Sequence, residues 1–243
     1  MTDECLSCSG EVNYLGCDLT EAELTSLRKF SASFEIKKKK TFILEGDPQD
    51  YYYQIFSGVA GTYNYFPDGK RIITEILFAG DFIGPQPGDR YPFTAESLQT
   101  VFLCRFEKKK MDQLIARSPN LKDKINMFQQ NAINKARTHL LTISHKAPLE
   151  RVASFLLFIC GNIEGSGQNF LIPMGRQEIG DYLGLSSETV SRNMTDLSAQ
   201  GIIAMETPSL VSICDPAQLY QLVYGDQAMA GQEFAGFQPK LSG

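Results

Sequence analysis

Three cysteines crowd the start of this chain: Cys5, Cys8 and Cys17 lie in a stretch of Gly, Ser, Asp and Asn with almost no apolar periodicity. Burial in a core does not explain them there. A Cys-x-x-Cys pair followed by a third thiol is what a multi-thiolate metal centre needs, and the fourth ligand has to come from elsewhere. Among the other cysteines, Cys160 in VASFLLFIC and Cys214 in LVSIC read as small buried hydrophobes. Cys104 is open to either role.

A second set of residues could read bases. Glu188, Ser191 and Arg192 are spaced by three and four, so on a helix they share one face. An Arg can donate two hydrogen bonds to guanine, a Glu can accept from the cytosine amine, and a Ser hydroxyl can bond to bases or phosphates. Ser187, Thr189 and Arg176 are flanking candidates for DNA contact. The stretch Arg176–Gly201 supplies the elements that must position them: two short amphipathic helices joined at Gly184-Leu185-Ser186. Ile179 and Leu183 form one apolar stripe, and Val190, Met194 and Leu197 another. Gly184 suits the left-handed residue that ends a helix, and Ser186 suits the cap of the next. Spacing alone leaves an alternative, an ordinary αα-hairpin in which Glu188 and Arg192 form a surface ion pair.

The rest of the chain frames these two sets. A length of 243 residues with 43% hydrophobic content implies two modest domains with real cores. The sequence contains neither a membrane-length apolar run nor a signal-peptide pattern, so the expected address is cytoplasmic. Net charge is −5, and between Ala147 and Gly225 only Arg151, Arg176 and Arg192 are basic. DNA binding there would depend on a few placed contacts, helix N-termini and two copies of the site. The Lys-rich runs Lys37–Lys40 and Lys108–Lys110 are read as solvated edge-strand charges.

From Phe34 to Phe106 the segments TFILEGD, YYYQIFSG, VAGTYNYF, RIITEILFAGDFIG and SLQTVFLCRF read as short strands closing into an antiparallel roll. Cys104 falls near the end of the last one. A long helix follows, on which Leu121, Ile125, Phe128, Ala132, Ala136, Leu140 and Ile143 recur at spacings of three and four, close to a heptad seam. The same stripe also suits a helix packed on its own roll.

A β-roll, a long helix and a helix-turn-helix, in that order, resemble the Crp-Fnr superfamily of dimeric transcription regulators. The resemblance rests on GDFIG at Gly80–Gly84 and on IGDYLGLSSETVSR at Ile179–Arg192. Its Glu188-x-x-Ser191-Arg192 pattern is similar to the Fnr and FixK branch, and implies half-sites similar to TTGAT. An α+β fold is implied, with an N-terminal antiparallel β-roll, a dimerisation helix and a C-terminal winged helix-turn-helix. The corresponding segments are 1–18 (cysteine-rich), 19–118 (roll), 119–146 (helix), 147–224 (winged helix-turn-helix) and 225–243 (a tail expected to be mobile). Ile125, Phe128, Ala132, Ala136, Leu140 and Ile143 are the expected dimerisation residues. Double-stranded DNA, RNA polymerase and a second copy are the implied partners, with no membrane.

The resemblance also bears on cofactors. Cyclic-AMP-binding members carry a glutamate and an Arg-Ser or Arg-Thr pair after the Gly-rich turn. Here Gly84 is followed by Pro85, and the region near Arg90 reads RYPFTAES, so no cyclic AMP is expected. Oxygen-sensing Fnr proteins carry an N-terminal cysteine cluster and one cysteine late in the roll. Cys5, Cys8, Cys17 and Cys104 match that arrangement and imply a [4Fe-4S] cluster, with the gap from Cys8 to Cys17 longer than in the best-known members. Alternatives are zinc on the same cysteines, or a haem-based or cofactor-free regulator that responds to redox change or nitric oxide. From another class, a cupin-type metalloenzyme is disfavoured because His139 and His145 both lie outside the roll. Oxygen-switched members also tend to carry an acidic residue at the helix seam. The matching position here is Ala136, and no Asp or Glu occurs between Lys124 and Leu149.

Overall fold

The computed structural model describes residues 14–163 and 169–225. Cys5, Cys8 and the tail after Gly225 lie outside the described residues. The chain divides within one long helix into two units, Met1–Ile133 and Asn134–Gly243.

In the first unit, helix α1 (Glu21–Arg28) begins where the sequence caps it. Thr20 Oγ1 accepts from the backbone of Glu23 at 3.3 Å, and the Glu23 carboxylate accepts from the backbone of Thr20 at 2.7 Å. The roll strands are β1 (Ser31–Ile36), β2 (Thr41–Ile43), β3 (Tyr51–Ser57), β4 (Ala60–Tyr65), β5 (Arg71–Leu77), β6 (Phe82–Ile83), β7 (Thr94–Ser97) and β8 (Val101–Glu107). They form two antiparallel four-stranded sheets, ordered β1-β8-β3-β6 and β2-β7-β4-β5. This is the jelly roll expected from the strand pattern. Helices α2 (Lys108–Ile115) and α3 (Pro119–His145) follow.

Strand alternation builds two cores on the two faces of the first sheet. Tyr53 and Ile55 of β3 and Val101 and Leu103 of β8 point into the roll, where they meet Ile43, Leu77, Ile83, Tyr91 and Ala95. Tyr52 of β3 and Cys104 and Phe106 of β8 point outward, against Leu15, Leu27, Met111, Leu121, Ile125 and Phe128. The outer face is thus covered by the start of the described chain, α1, α2 and the first half of α3.

The second unit contains the rest of α3, then α4 (Pro148–Asn162), β9 (Asn169–Leu171), α5 (Arg176–Leu183), α6 (Ser187–Ala199), β10 (Ile203–Met205), β11 (Leu210–Ile213) and α7 (Pro216–Tyr224). Pro148 sits in the first turn of α4, where its missing N–H is harmless, and the Glu150 carboxylate accepts from Ala147 N at 2.9 Å. Strands β10, β11 and β9 make a small antiparallel sheet beside the helices, the wing. Phe155, Leu156, Ile159, Ile179, Val190, Met194, Leu197 and Leu219 are all buried.

Several sequence expectations change. Strand β1 extends the roll upstream of Phe34, and β7 is a separate strand. Leu98 and Gln99 form a turn, with both backbone N–H groups donating to Val59 O. Cys104 lies at the middle of β8, not near its end. Lys108–Lys110 open α2, and Lys37–Lys40 are exposed in the turn between β1 and β2, so neither run is an edge-strand device. Cys214 is exposed and Cys160 only half-buried. On α3, Ile125 and Phe128 are 4% and 8% exposed, because the roll's outer face takes them into its own core. The apolar side chains left uncovered are Ile133, Leu140 and Leu141, at 59%, 60% and 65% exposure.

Candidate functional site

The turn between α5 and α6 is fixed by residues whose chemistry leaves little choice. Gly184 adopts φ 66°, the left-handed conformation that ends α5. Gly180 is also constrained, since a Cβ there would stand 2.5 Å from the carbonyl oxygen of Leu185. Ser186 then starts α6, its hydroxyl accepting from Thr189 N at 3.2 Å.

Helix α6 buries Val190, Asn193, Met194 and Leu197. Its opposite face carries Glu188, Ser191, Arg192 and Thr195, all exposed. The Glu188 carboxyl is held below the usual carboxylate range by a backbone N–H and by the hydroxyls of Ser186 and Ser187. Ser187 donates to it at 3.1 Å. Among the described residues Glu188 and Arg192 form no ion pair, so the hairpin alternative lacks its surface bridge and the Arg192 guanidinium is free. An acceptor at the first turn and a cation one turn later is a face that can discriminate bases in a major groove.

The other expected contacts are placed differently. Thr189 is half-exposed and tied to Ser186 through both its backbone and its hydroxyl. Arg176 is half-buried, its Nη2 lying 3.7 Å from Met205 Sδ on the wing, and burial lowers its pKa. Arg151 stands in the sequence only as a charge. Its Nε donates to Lys146 O at 2.9 Å and its Nη1 to Leu183 O at 3.2 Å, joining the ends of α3 and α5. Thr195 lies three residues beyond Arg192 and extends the exposed face by almost a turn, a position its spacing could have revealed. Its hydroxyl donates to Ser191 O at 3.0 Å.

Cys17 and Cys104 lie on the roll's outer side. Tyr14–Cys17 form a turn closed by Cys17 N donating to Tyr14 O at 3.0 Å. Tyr14 stacks on Phe56 with centroids 5.1 Å apart, and its hydroxyl donates to Phe56 O. Leu15 N donates to Gln54 Oε1 at 2.9 Å, and Gln54 is the cross-strand partner of Cys104. Cys17 is 6% exposed and Cys104 fully buried. Both are disulfide-bonded, while Cys160 and Cys214 are not. Beside Cys17 a hollow of about 300 Å³ runs to Asn120, Lys124 and Met127 of α3, and Lys124 Nζ meets Asp18 Oδ2 at 3.1 Å. Cys5 and Cys8 lie outside the described residues, and among the described residues no group of three or more metal-binding side chains assembles.

Two family models match this chain: a cyclic nucleotide-binding domain over residues 33–118 and a Crp-like helix-turn-helix domain over residues 150–222. The nitrogen fixation regulation protein FixK of Bradyrhizobium diazoefficiens is 31% identical over 90% of this chain and 93% of its own length. The chain belongs to the Crp-Fnr family, on its Fnr/FixK branch. The transcriptional activator protein Anr of Pseudomonas aeruginosa is 30% identical over 91% of this chain and 93% of that protein. Among solved structures, FixK2 from Bradyrhizobium japonicum superimposes with a TM-score of 0.75 at 27% identity, covering 79% of this chain and 96% of that one.

Crp-Fnr membership makes the protein a DNA-binding transcription regulator rather than an enzyme, and the cupin alternative falls away. It also makes α5–α6 the helix-turn-helix and β9–β11 the wing. Among the described residues no helix is long and apolar enough to cross a membrane.

Proposed function

We propose that this Crp-Fnr regulator binds palindromic TTGAT-like sites as a homodimer and responds to oxygen through a [4Fe-4S] cluster held by Cys5, Cys8, Cys17 and Cys104. The observation that carries the reading is the state of the sulfurs. Cys17 and Cys104 are far apart in sequence, yet both are drawn into disulfide linkage at the roll face packed by α3, while Cys160 and Cys214 are in no disulfide. Once reduced, such cysteines become thiolates that can move apart and bind separate irons of one cluster. When bound, such a cluster supplies an iron–sulfide centre open to oxidation. The protein's own part is to hold Cys104 rigidly at mid-strand and to fasten the Cys17 turn to the same sheet.

The roll interior supports a regulator that does not bind cyclic AMP. Tyr53, Tyr91, Leu77, Ile83 and Val101 fill it, with Phe93 packed alongside. Arg90, near the place of a phosphate-binding arginine, donates instead to Gly46 O. The uncovered row Ile133, Ala136 and Leu140 on α3 supports pairing with a second copy, since exposed apolar residues at seam spacing are stabilised by a partner helix. RNA polymerase as a further partner and the cytoplasm as the address belong to the same reading.

The disulfide linkages favour a second reading, a FixK-like regulator in which thiol–disulfide exchange replaces the cluster. Purification without oxygen separates the two. The cluster reading expects brown protein with about four iron and four sulfide per chain, bleached by air with loss of specific DNA binding. Colourless, iron-free protein whose DNA binding follows thiol reduction would establish the second reading, and colourless protein retaining one zinc would move the site to zinc.

A further inference from the structure

His139 on the last third of α3 lies flat against Tyr182 of α5, with ring centroids 4.0 Å apart and planes 16° from parallel. Phe158 of α4 is nearly parallel to the same tyrosine, at 6.3 Å and 17°, and Phe155 meets it at 6.2 Å. Rings from three helices of the second unit therefore converge in one cluster around Tyr182. Tyr182 is 8% exposed, and it precedes Leu183, whose carbonyl accepts from Arg151, and Gly184, which makes the turn into α6. The orientation of α6 is thus set through the residue that His139 touches.

His139 also neighbours Leu140, which is 60% exposed on the face expected to meet a second copy. One helical segment therefore presents a dimer surface on one side and grips the helix-turn-helix on the other. The stack adds an attraction beyond the burial of the two rings, and the Arg151 bonds to Lys146 O and Leu183 O close the same junction.

We propose that His139 is a positioning residue for two-site DNA recognition: its stack on Tyr182 holds each reading helix at a fixed angle to the dimerisation helix. In the dimer this sets the separation between the two copies of α6, so His139 governs which half-site spacing is accepted. It touches no base. The inference rests on the homodimer reading, and the experiment keeps the two apart.

Full-length wild type, His139→Leu and His139→Phe are compared by sedimentation and by binding to three duplexes. One carries two inverted TTGAT-like half-sites, and the others carry one base pair inserted or removed between them. His139→Leu keeps the burial but has no ring, whereas His139→Phe restores a ring. The expected result is that all three proteins sediment as dimers. His139→Leu should lose about threefold to tenfold of the preference for the original spacing, the range that removing one aromatic stack spans, and His139→Phe should keep it. Unchanged spacing preference in His139→Leu overturns the proposal, as does equal loss in His139→Phe. A monomeric wild type would instead overturn the homodimer reading, and the spacing proposal with it.

Discussion

Gln54 bridges the Cys17 turn and the roll: its Oε1 accepts from Leu15 N at 2.9 Å and its Nε2 donates to Gly80 O at 3.3 Å. It is wholly buried and stands opposite Cys104 in the β3–β8 register. Gly80 opens the GDFIG segment, so one amide ties together the turn, the cysteine strand and the most recognisable loop of the roll. Replacing Gln54 by Leu strands the buried Leu15 N–H, at a cost of about 1–3 kcal/mol, and removes the donor to the part-buried Gly80 carbonyl. The expected outcome is a folded protein with a lower melting temperature and markedly less iron after anaerobic purification. Full iron content in Gln54→Leu would show that the Cys17 turn is held by other contacts.

Among the cysteines the prediction is a split. Cys104→Ser and Cys17→Ser should each remove most of the iron, while Cys160→Ser and Cys214→Ser leave it, because the latter two are in no disulfide and belong to the second unit. Iron and sulfide assays on anaerobic protein read this directly. Loss of iron in Cys160→Ser would redraw the ligand set.

Arg192→Ala should weaken specific binding by about 1–3 kcal/mol if its guanidinium makes a bidentate contact with guanine. Binding to random duplex at the same salt should change little. Glu188→Ala should relax the preference at one base position and leave overall affinity nearly intact. Equal losses on specific and random DNA would make Arg192 a phosphate contact.

The reading helix is legible in the sequence because its signals are local. Gly184, Ser186 and the three-and-four spacing of Glu188, Ser191 and Arg192 each act within a turn or two of chain. The seam is only partly legible. An apolar stripe on a helix does not say what covers it, and the roll claims Ile125 and Phe128, leaving Ile133, Leu140 and Leu141 outside. Strand β7, Thr94–Ser97, escapes a sequence reading because it is largely buried on both faces and shows no alternation. Arg151 escapes it because its partners are carbonyl oxygens, which leave no trace in residue identity.

Acid should act on the His139 stack. Burial holds its imidazole below the usual histidine range, about 6.5 when unperturbed. The folded state therefore binds fewer protons than the unfolded state between those two values, and stability falls as pH drops through that window. Above the unfolded value the contribution is fully present. Melting temperatures of wild type and His139→Phe should diverge as the pH is lowered from neutral, with wild type losing more. Parallel curves would show that His139 does not titrate differently on folding.

The proposed dimer seam carries the last prediction, which concerns the protein after loss of the proposed cluster. Ala136 is exposed on the face that holds Ile133 and Leu140, and the helix has no acidic residue between Lys124 and its end at His145. Two carboxylates facing each other across a seam would have to be desolvated against mutual repulsion. A small apolar residue removes that penalty and lets the helices approach. Arg137 is exposed and Lys135 partly so, and both have stems long enough to carry their charges outward. The protein should therefore stay largely dimeric in air, with oxygen acting through the orientation of the DNA-binding units more than through dissociation. Ala136→Asp should weaken the dimer, more severely in air, and Leu140→Asp should weaken it in both states. Sedimentation of air-exposed wild type at micromolar concentration decides the point, since a predominantly monomeric species would require a source of repulsion other than seam charge.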